Sequence, residues 1–322
     1  MPGASALRRV AAALLALAAL STSAAEPTPR RVAITIDDLP WVEFPTSSRA
    51  DIAHRHARLL AALSKHRSRA IGFVNEDKLY VDTRLQHERR AMLGDWLAAG
   101  LDLGNHTFGH VGLHATAIAD YEHAILAGED ILRPLLAARG RTLQWFRHPY
   151  LQAGREEAVR SRLEGFLAAH GYRIAPVTID NGDWIYARAY IKALDADDAA
   201  RAAELRQRYI GYIEAKFGYY EDQSRRLFGR EIPQILLLHA SALNADALDE
   251  LLTRIERRGY RYASLDEVLA DPAYAHADGY RGGAGISWMH RWAMAEDKPR
   301  VFYDGEPVVP ADVMAMAGVD SE

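Results

Sequence analysis

Short apolar, β-branched runs recur along the chain at Val32 to Ile36, Ala70 to Val74, Leu101 to Leu103, Leu143 to Phe146, Arg173 to Ile179, Ile235 to Leu238 and Tyr260 to Ala263. Runs of this length and character predict buried strands. The intervening stretches predict helices at Ser48 to His66, Leu85 to Ala99, Ile118 to Ala138, Arg155 to His170, Asp195 to Phe217 and Asp246 to Arg257. Gly100, Gly140, Gly171 and Gly259 each follow one of these helices, where a residue tolerant of positive φ closes the last turn. Regular alternation of strand and helix implies parallel strands with helical crossovers, so the expected fold is α/β, a distorted or incomplete (β/α) barrel. Two stretches fit the alternation poorly. Ile185 to Glu231 is a long, mostly helical connection rich in Tyr, and Pro272 to Glu322 is a tail carrying Gly282-Gly283, Trp288, Trp292 and Tyr303. Either flanks a site or covers the barrel.

At 322 residues, with 49% hydrophobic and 25% charged positions, the chain suits one main globular domain. Residues 1–25 read as an export signal: Arg8 and Arg9 begin it, Val10 to Leu20 form its apolar stretch and Ser23-Ala24-Ala25 a small-residue cleavage site. That places the protein in a periplasm or outside the cell. No later run is apolar enough to hold the processed chain in a membrane. The net charge of -4 becomes -6 when Arg8 and Arg9 leave, and no basic stripe remains to follow a phosphate backbone, so nucleic acid is not an expected partner. Cysteine is absent, which excludes disulfides, thiol nucleophiles and thiolate ligands.

In a parallel β/α fold the loops after the strands' carboxyl ends build the site, and five such ends carry polar groups. Thr35 to Pro40, TIDDLP, puts two carboxylates after the first strand, one able to bind a cation while its neighbour addresses a water; the dipeptide serves equally well as a turn before Pro40. His106 to His110, HTFGH, has the four-residue spacing by which two imidazoles on one helical face reach one metal. With Asp38 they make a two-histidine, one-carboxylate set that suits zinc and also takes cobalt, nickel, iron or manganese. His114 continues the spacing but is read as a non-ligand, because Val111-Gly112 interrupts the helix. His54, His56, His66, His87, His123, His170, His276 and His290 are read as surface or packing residues. His239, directly after the apolar run Ile235 to Leu238, is placed to protonate a leaving group or to sit in the core with a backbone partner. Phe146 to Tyr150, FRHPY, and Asp180 to Trp184, DNGDW, suit either turns or site loops.

Taken in order, TIDDLP, HTFGH, FRHPY, DNGDW and LLLHA resemble the five motifs of the NodB-homology polysaccharide deacetylases, carbohydrate esterase family 4. The resemblance spans roughly Arg31 to Ala270. It implies a catalytic domain over residues 26–271, a helical insertion at about 185–231 and a C-terminal extension over 272–322. It further implies Asp37 as general base, Asp38, His106 and His110 as metal ligands, and Arg147 as the partner of Asp37. The Tyr150 backbone N–H would help hold an oxyanion, and His239, oriented by Asp183, would be general acid. Trp184 and Leu237 would line the pocket for the acetyl methyl. This sequence departs from the family pattern at Leu39, which stands where glycine is usual, at Gly72 to Glu76, and in its long connection and aromatic tail.

The implied activity is metal-dependent hydrolysis of acetyl groups on N-acetylhexosamine glycans, a reaction at a carbon–nitrogen bond other than a peptide bond. The cation would polarise the carbonyl and acidify a bound water while Asp37 takes the proton and His239 supplies one to the departing nitrogen. An O-acetyl polysaccharide esterase could use the same groups, and a glycan-binding protein could retain them without turnover. Tyr186, Tyr190, Tyr219, Trp288 and Trp292 are candidates for stacking on sugars, or for packing. A zinc peptidase is disfavoured, because Thr107 stands where such an enzyme needs a glutamate.

Overall fold

The first strand, β1 (Arg30–Leu39), carries six consecutive buried residues and is flanked by partners on both edges. In this computed structural model, which describes residues 30–43 and 48–322, the chain continues through α1 (Arg49–Lys65), β2 (Ile71–Val74), a hairpin of β3 (Tyr80–Val81) and β4 (Arg84–Leu85), α2 (His87–Ala98) and β5 (Asp102–Asn105). Then come α3 (Ile118–Ala127), α4 (Leu132–Ala137), β6 (Trp145–Phe146), α5 (Glu157–Ala169) and β7 (Arg173–Ile174). The second half comprises α6 (Asp183–Asp195), α7 (Ala199–Phe228), β8 (Gln234–His239), α8 (Ala242–Arg257), β9 (Tyr260–Tyr262), α9 (Leu265–Leu269), α10 (Trp288–Ala295) and α11 (Ala311–Ala317). The expected export signal, residues 1–25, lies outside the described residues. Among those described, no helix is long and apolar enough to cross a membrane.

The main sheet runs β7-β6-β5-β2-β1-β8 with every pair parallel, and β9 adds to β1 through Arg30 to Val32. Beyond β7 the chain curls back to β8: Ile179 donates its N–H to Ile235 O at 2.9 Å and accepts from Leu237 N–H at 3.3 Å. The sheet is thus a barrel closed by a single bridge. This explains why the expected strand Arg173 to Ile179 is regular only at Arg173–Ile174: Pro176 lacks the N–H that a ladder needs.

Gly100, Gly140, Gly171 and Gly259 take positive φ after their helices, as expected. Two helices depart from expectation. Ile118 to Ala138 is broken into α3 and α4, because the buried Glu76 carboxylate accepts the N–H groups of Ile131 and Leu132 at 2.8 and 3.2 Å and so starts α4 afresh. The helix expected over Asp195 to Phe217 is the end of α6 followed by α7; Asp197 at φ 52° turns the chain and the Asp198 side chain caps α7 by accepting from Arg201 N–H at 2.9 Å. The long connection is therefore two packed helices. Its tyrosines stack inward, with the Tyr186 ring 5.7 Å from Tyr209 and 5.4 Å from Tyr212. Tyr186, Tyr190, Trp288 and Trp292 are all buried, so packing rather than sugar stacking accounts for them.

Candidate metal centre and active site

The end of β1 is bulged: its register against β2 shifts between Ile36 and Leu39, and Asp38 takes φ 64°. A bulge re-aims side chains, and it turns Asp37 and Asp38 toward different partners. Asp38 faces His110, with Oδ1 3.8 Å from Nε2, and Lys78, with Oδ2 3.9 Å from Nζ. Asp37 faces Arg147 at 3.7 Å and His106 at 3.8 Å. Burial raises the Asp37 carboxyl to about 6 against the pull of Arg147. Burial acts the same way on Asp38, but Lys78, His110 and His106 overcome it and hold that carboxyl low.

The two histidines converge without the helical turn that their spacing suggested. Thr107, Gly109 and His110 all have positive φ, so HTFGH is a tight left-handed loop after β5. Buried Asn105 clamps it, accepting from Thr107 N–H at 2.7 Å and donating to Ile125 O at 2.8 Å. His106 Nδ1 lies 2.9 Å from the Arg147 carbonyl, which fixes Nδ1 as the donor and leaves the Nε2 lone pair facing the carboxylates. Ligand atoms of Asp38, His106 and His110 lie within 4.8 Å of one another, and Asp38 Oδ1 is a buried oxygen with no hydrogen-bond partner. One carboxylate and two imidazoles, oriented and partly orphaned, fit a divalent cation. His114 stands apart, its Nδ1 3.1 Å from Gly283 O.

Behind Asp37, Arg147 is fully buried, donates to Thr35 Oγ1 at 3.0 Å and lies over the Phe73 ring at 4.7 Å. His239, at the end of β8, is held from two directions. Its Nδ1 is 2.7 Å from Asp183 Oδ1, and its backbone N–H donates to Asp183 Oδ2 at 2.8 Å, which also accepts from Asn244 Nδ2 at 2.8 Å. Burial disfavours the imidazolium, but the Asp183 carboxylate outweighs it and raises His239 to about 9. Tyr150 lies in the left-handed region at φ 54°, its ring edge-on to His110 at 4.5 Å. Trp184 opens α6 and Leu237 lies within β8; both line the same cavity.

Residues 24–172 match the sequence profile of the polysaccharide deacetylase family. Over that stretch, a little under half of its length, the chain is similar to the family. The match takes in Asp37, Asp38, His106, His110, Arg147 and Tyr150 and ends before Asp183, Trp184, Leu237 and His239. Among solved structures the chain is similar to a family 4 carbohydrate esterase from Streptomyces lividans in complex with acetate (18% identity, 74% of this chain and 95% of that one, TM-score 0.47). It is likewise similar to the peptidoglycan deacetylase PdaC from Bacillus subtilis (19%, 78% and 96%, TM-score 0.47) and to BA3943, a CE4 family pseudoenzyme from Bacillus anthracis (18%, 76% and 66%, TM-score 0.49). A search of curated proteins gives no match.

The site opens into a cavity of about 750 Å³ whose lining includes residues that sequence reasoning passed over. His290, read as a packing residue, is one of them, with Nε2 2.9 Å from Tyr219 OH. Glu43, buried and raised by burial to about 7, caps α8 by accepting from Ala242 N–H at 3.2 Å. Asp180, raised by burial to about 6 against the pull of Lys216, lies beside Lys216, Glu306 and Glu322. No local spacing signals Lys216, His290, Glu306 or Glu322, because they come from α7 and from the far tail, whereas Asp180 opens the DNGDW segment.

Proposed function

We propose that the protein is a divalent-metal-dependent deacetylase that removes acetyl groups from N-acetylhexosamine-containing glycans. The observation that carries this reading is convergence: a three-ligand set, a second carboxylate beside it and a histidine held by a buried carboxylate all face one cavity. Asp38, His106 and His110 would hold the cation, with zinc the ion proposed; bound there, it would supply Lewis acidity to the acetyl carbonyl and make a water more acidic. Asp37 takes the proton from the attacking water, and Arg147 limits how far burial raises Asp37. The Tyr150 backbone N–H supports the developing oxyanion. His239 hands its proton to the departing nitrogen, and Asp183 keeps that proton in place. Trp184 and Leu237 take the acetyl methyl. The catalytic unit proposed is residues 26–271 with its 185–231 insertion, joined at the cavity by the 272–322 extension. Export to a periplasm or beyond rests on residues 1–25 alone.

The state of His239 favours an amide over an ester. An amine leaves only when protonated, whereas an alkoxide from a sugar hydroxyl makes a smaller demand on the acid. A histidine raised to about 9 is charged across the neutral range and suits the harder task. The test is acetate release by zinc-reconstituted mature protein from N-acetylated and O-acetylated glycans, with Asp37→Asn as control. Release from N-acetyl substrates that falls by at least about 100-fold in the control is expected. Release from O-acetyl substrates alone would make it an esterase, and silence with glycan still bound would make it a binding protein.

A further inference from the structure

The cavity is walled by parts of the chain outside the family match. Residues 284–287 run against the turn at Tyr150 and Leu151 so closely that a Cβ on Gly285 would lie 2.0 Å from Tyr150 O. This strap is fixed to the barrel rim. Ser287 Oγ donates to Thr178 O at 2.7 Å, Trp288 N–H to Val177 O at 2.7 Å, and Arg291, 1% exposed, bonds both Ile286 O and Leu151 O. Further along, Glu306 accepts from Lys216 Nζ at 2.8 Å and from Tyr220 OH at 2.7 Å, while Glu322 accepts from Tyr212 OH at 2.7 Å and from Val309 N–H at 2.9 Å. Helix α6 forms another wall with Trp184, Ala187 and Ile191.

We propose that residues 284–322, with α6 and α7, form the substrate pocket, and that this pocket takes a short, uncharged or amino-bearing glycan end in preference to the interior of a long or anionic polymer. The preference for an end follows from the walls: an open groove lets a polymer run past the metal set in both directions, whereas the strap and Glu306 to Val308 occupy the rim. A volume near 750 Å³ is that of a site enclosing one drug-sized ligand, or about two to three sugar rings. The charge preference follows from Lys216, 3% exposed, whose single ammonium faces the carboxylates of Glu306 and Glu322 with Asp180 beside them. Arg188 and His239 are the other cationic groups on the lining and are outnumbered by its carboxylates, so an incoming anion meets like charge, and hydroxyl or amino groups find acceptors. The identity of the reacting group rests on the deacetylase reading; the length and charge preferences rest on the walls.

The experiment is a length series of β-linked N-acetylglucosamine oligomers of one to six units, a soluble polymer of the same unit, and a trimer bearing a carboxylate, each measured by acetate release and by calorimetric Kd. Affinity and kcat/KM are expected to rise to two or three units and then level. The polymer and the carboxylate-bearing trimer are expected to fall at least tenfold below the neutral trimer. Val308→Trp, at a rim position 68% exposed, should lower trimer affinity at least fivefold more than monomer affinity. Gains that continue to six units, or a preference for polymer or for the anionic trimer, would overturn the pocket. If no substrate releases acetate, the deacetylase reading fails while the Kd series still decides: levelling at two or three units upholds the pocket, and continued gain or no binding of short oligomers refutes it.

Discussion

Asp183→Asn should uncouple the protonation of His239 from its position. The carboxylate is wholly buried and receives three donors, His239 N–H at 2.8 Å, His239 Nδ1 at 2.7 Å and Asn244 Nδ2 at 2.8 Å. An amide has one oxygen and one amino group, so at least one donor loses its acceptor, at a cost of about 1–3 kcal/mol. The larger effect is electrostatic. Against the opposing effect of burial, Asp183 chiefly, with Asp38 and Asp37 adding, carries His239 from its ordinary 6.5 to about 9, and about 1.4 kcal/mol per unit makes that roughly 3 kcal/mol in favour of the imidazolium. Because the folded value is raised, this stabilisation is fully present below the ordinary histidine value and is lost as pH rises through about 9. The variant should therefore be more destabilised at pH 6 than at pH 10, by about 3 kcal/mol beyond the pH-independent loss. Urea unfolding at the two pH values measures this, and histidine-selective NMR titration of the metal-free protein reads His239 directly. In turnover, the fraction of protonated acid at pH 8 would fall about 30-fold and at pH 6 less than about twofold, so the ratio of wild-type to variant kcat/KM should grow with pH. A wild-type His239 that titrates near its ordinary value, or a variant that titrates like the wild type, would refute the reasoning.

His106→Ala and His110→Ala should each reduce zinc retained after dialysis from one ion per chain to less than about a tenth, by elemental analysis, with the fold intact by circular dichroism. Arg147→Met removes the cation 3.7 Å from Asp37, whose carboxyl burial already raises to about 6. The base is active when deprotonated, so the acid-side midpoint of kcat/KM should move upward by about 1 unit in a pH profile; a downward move would contradict the pairing. Gly285→Ala forces a methyl against Tyr150 O and should cost about 1–3 kcal/mol by thermal unfolding, with kcat/KM falling while zinc content holds.

The alternation of apolar runs and capped helices was enough to read an incomplete parallel barrel, because burial on both faces leaves a continuous apolar signature in each strand. The same local chemistry marked the loops after β1, β5, β6 and β8, since a parallel sheet delivers its strand ends to one side. Where the reading slipped, a distant carboxylate intervened in one helix and a local cap in the other. Glu76 splits the helix over Ile118 to Ala138 from across the fold, and the Asp-rich link at Asp195 to Asp198 both ends one helix and caps the next.

The amino-acid sequence by itself determined which chemical groups are available and on which strand ends they stand. Only the tertiary structure decided that His106 and His110 meet through a left-handed loop and that His239 is held cationic by Asp183. The tertiary structure also decided that His290, Glu306 and Glu322 share a cavity with Asp37. The physical reason is range: strand burial, helix caps and turn conformations depend on near neighbours, whereas a pKa and a cavity wall depend on whatever the whole chain brings within a few ångströms.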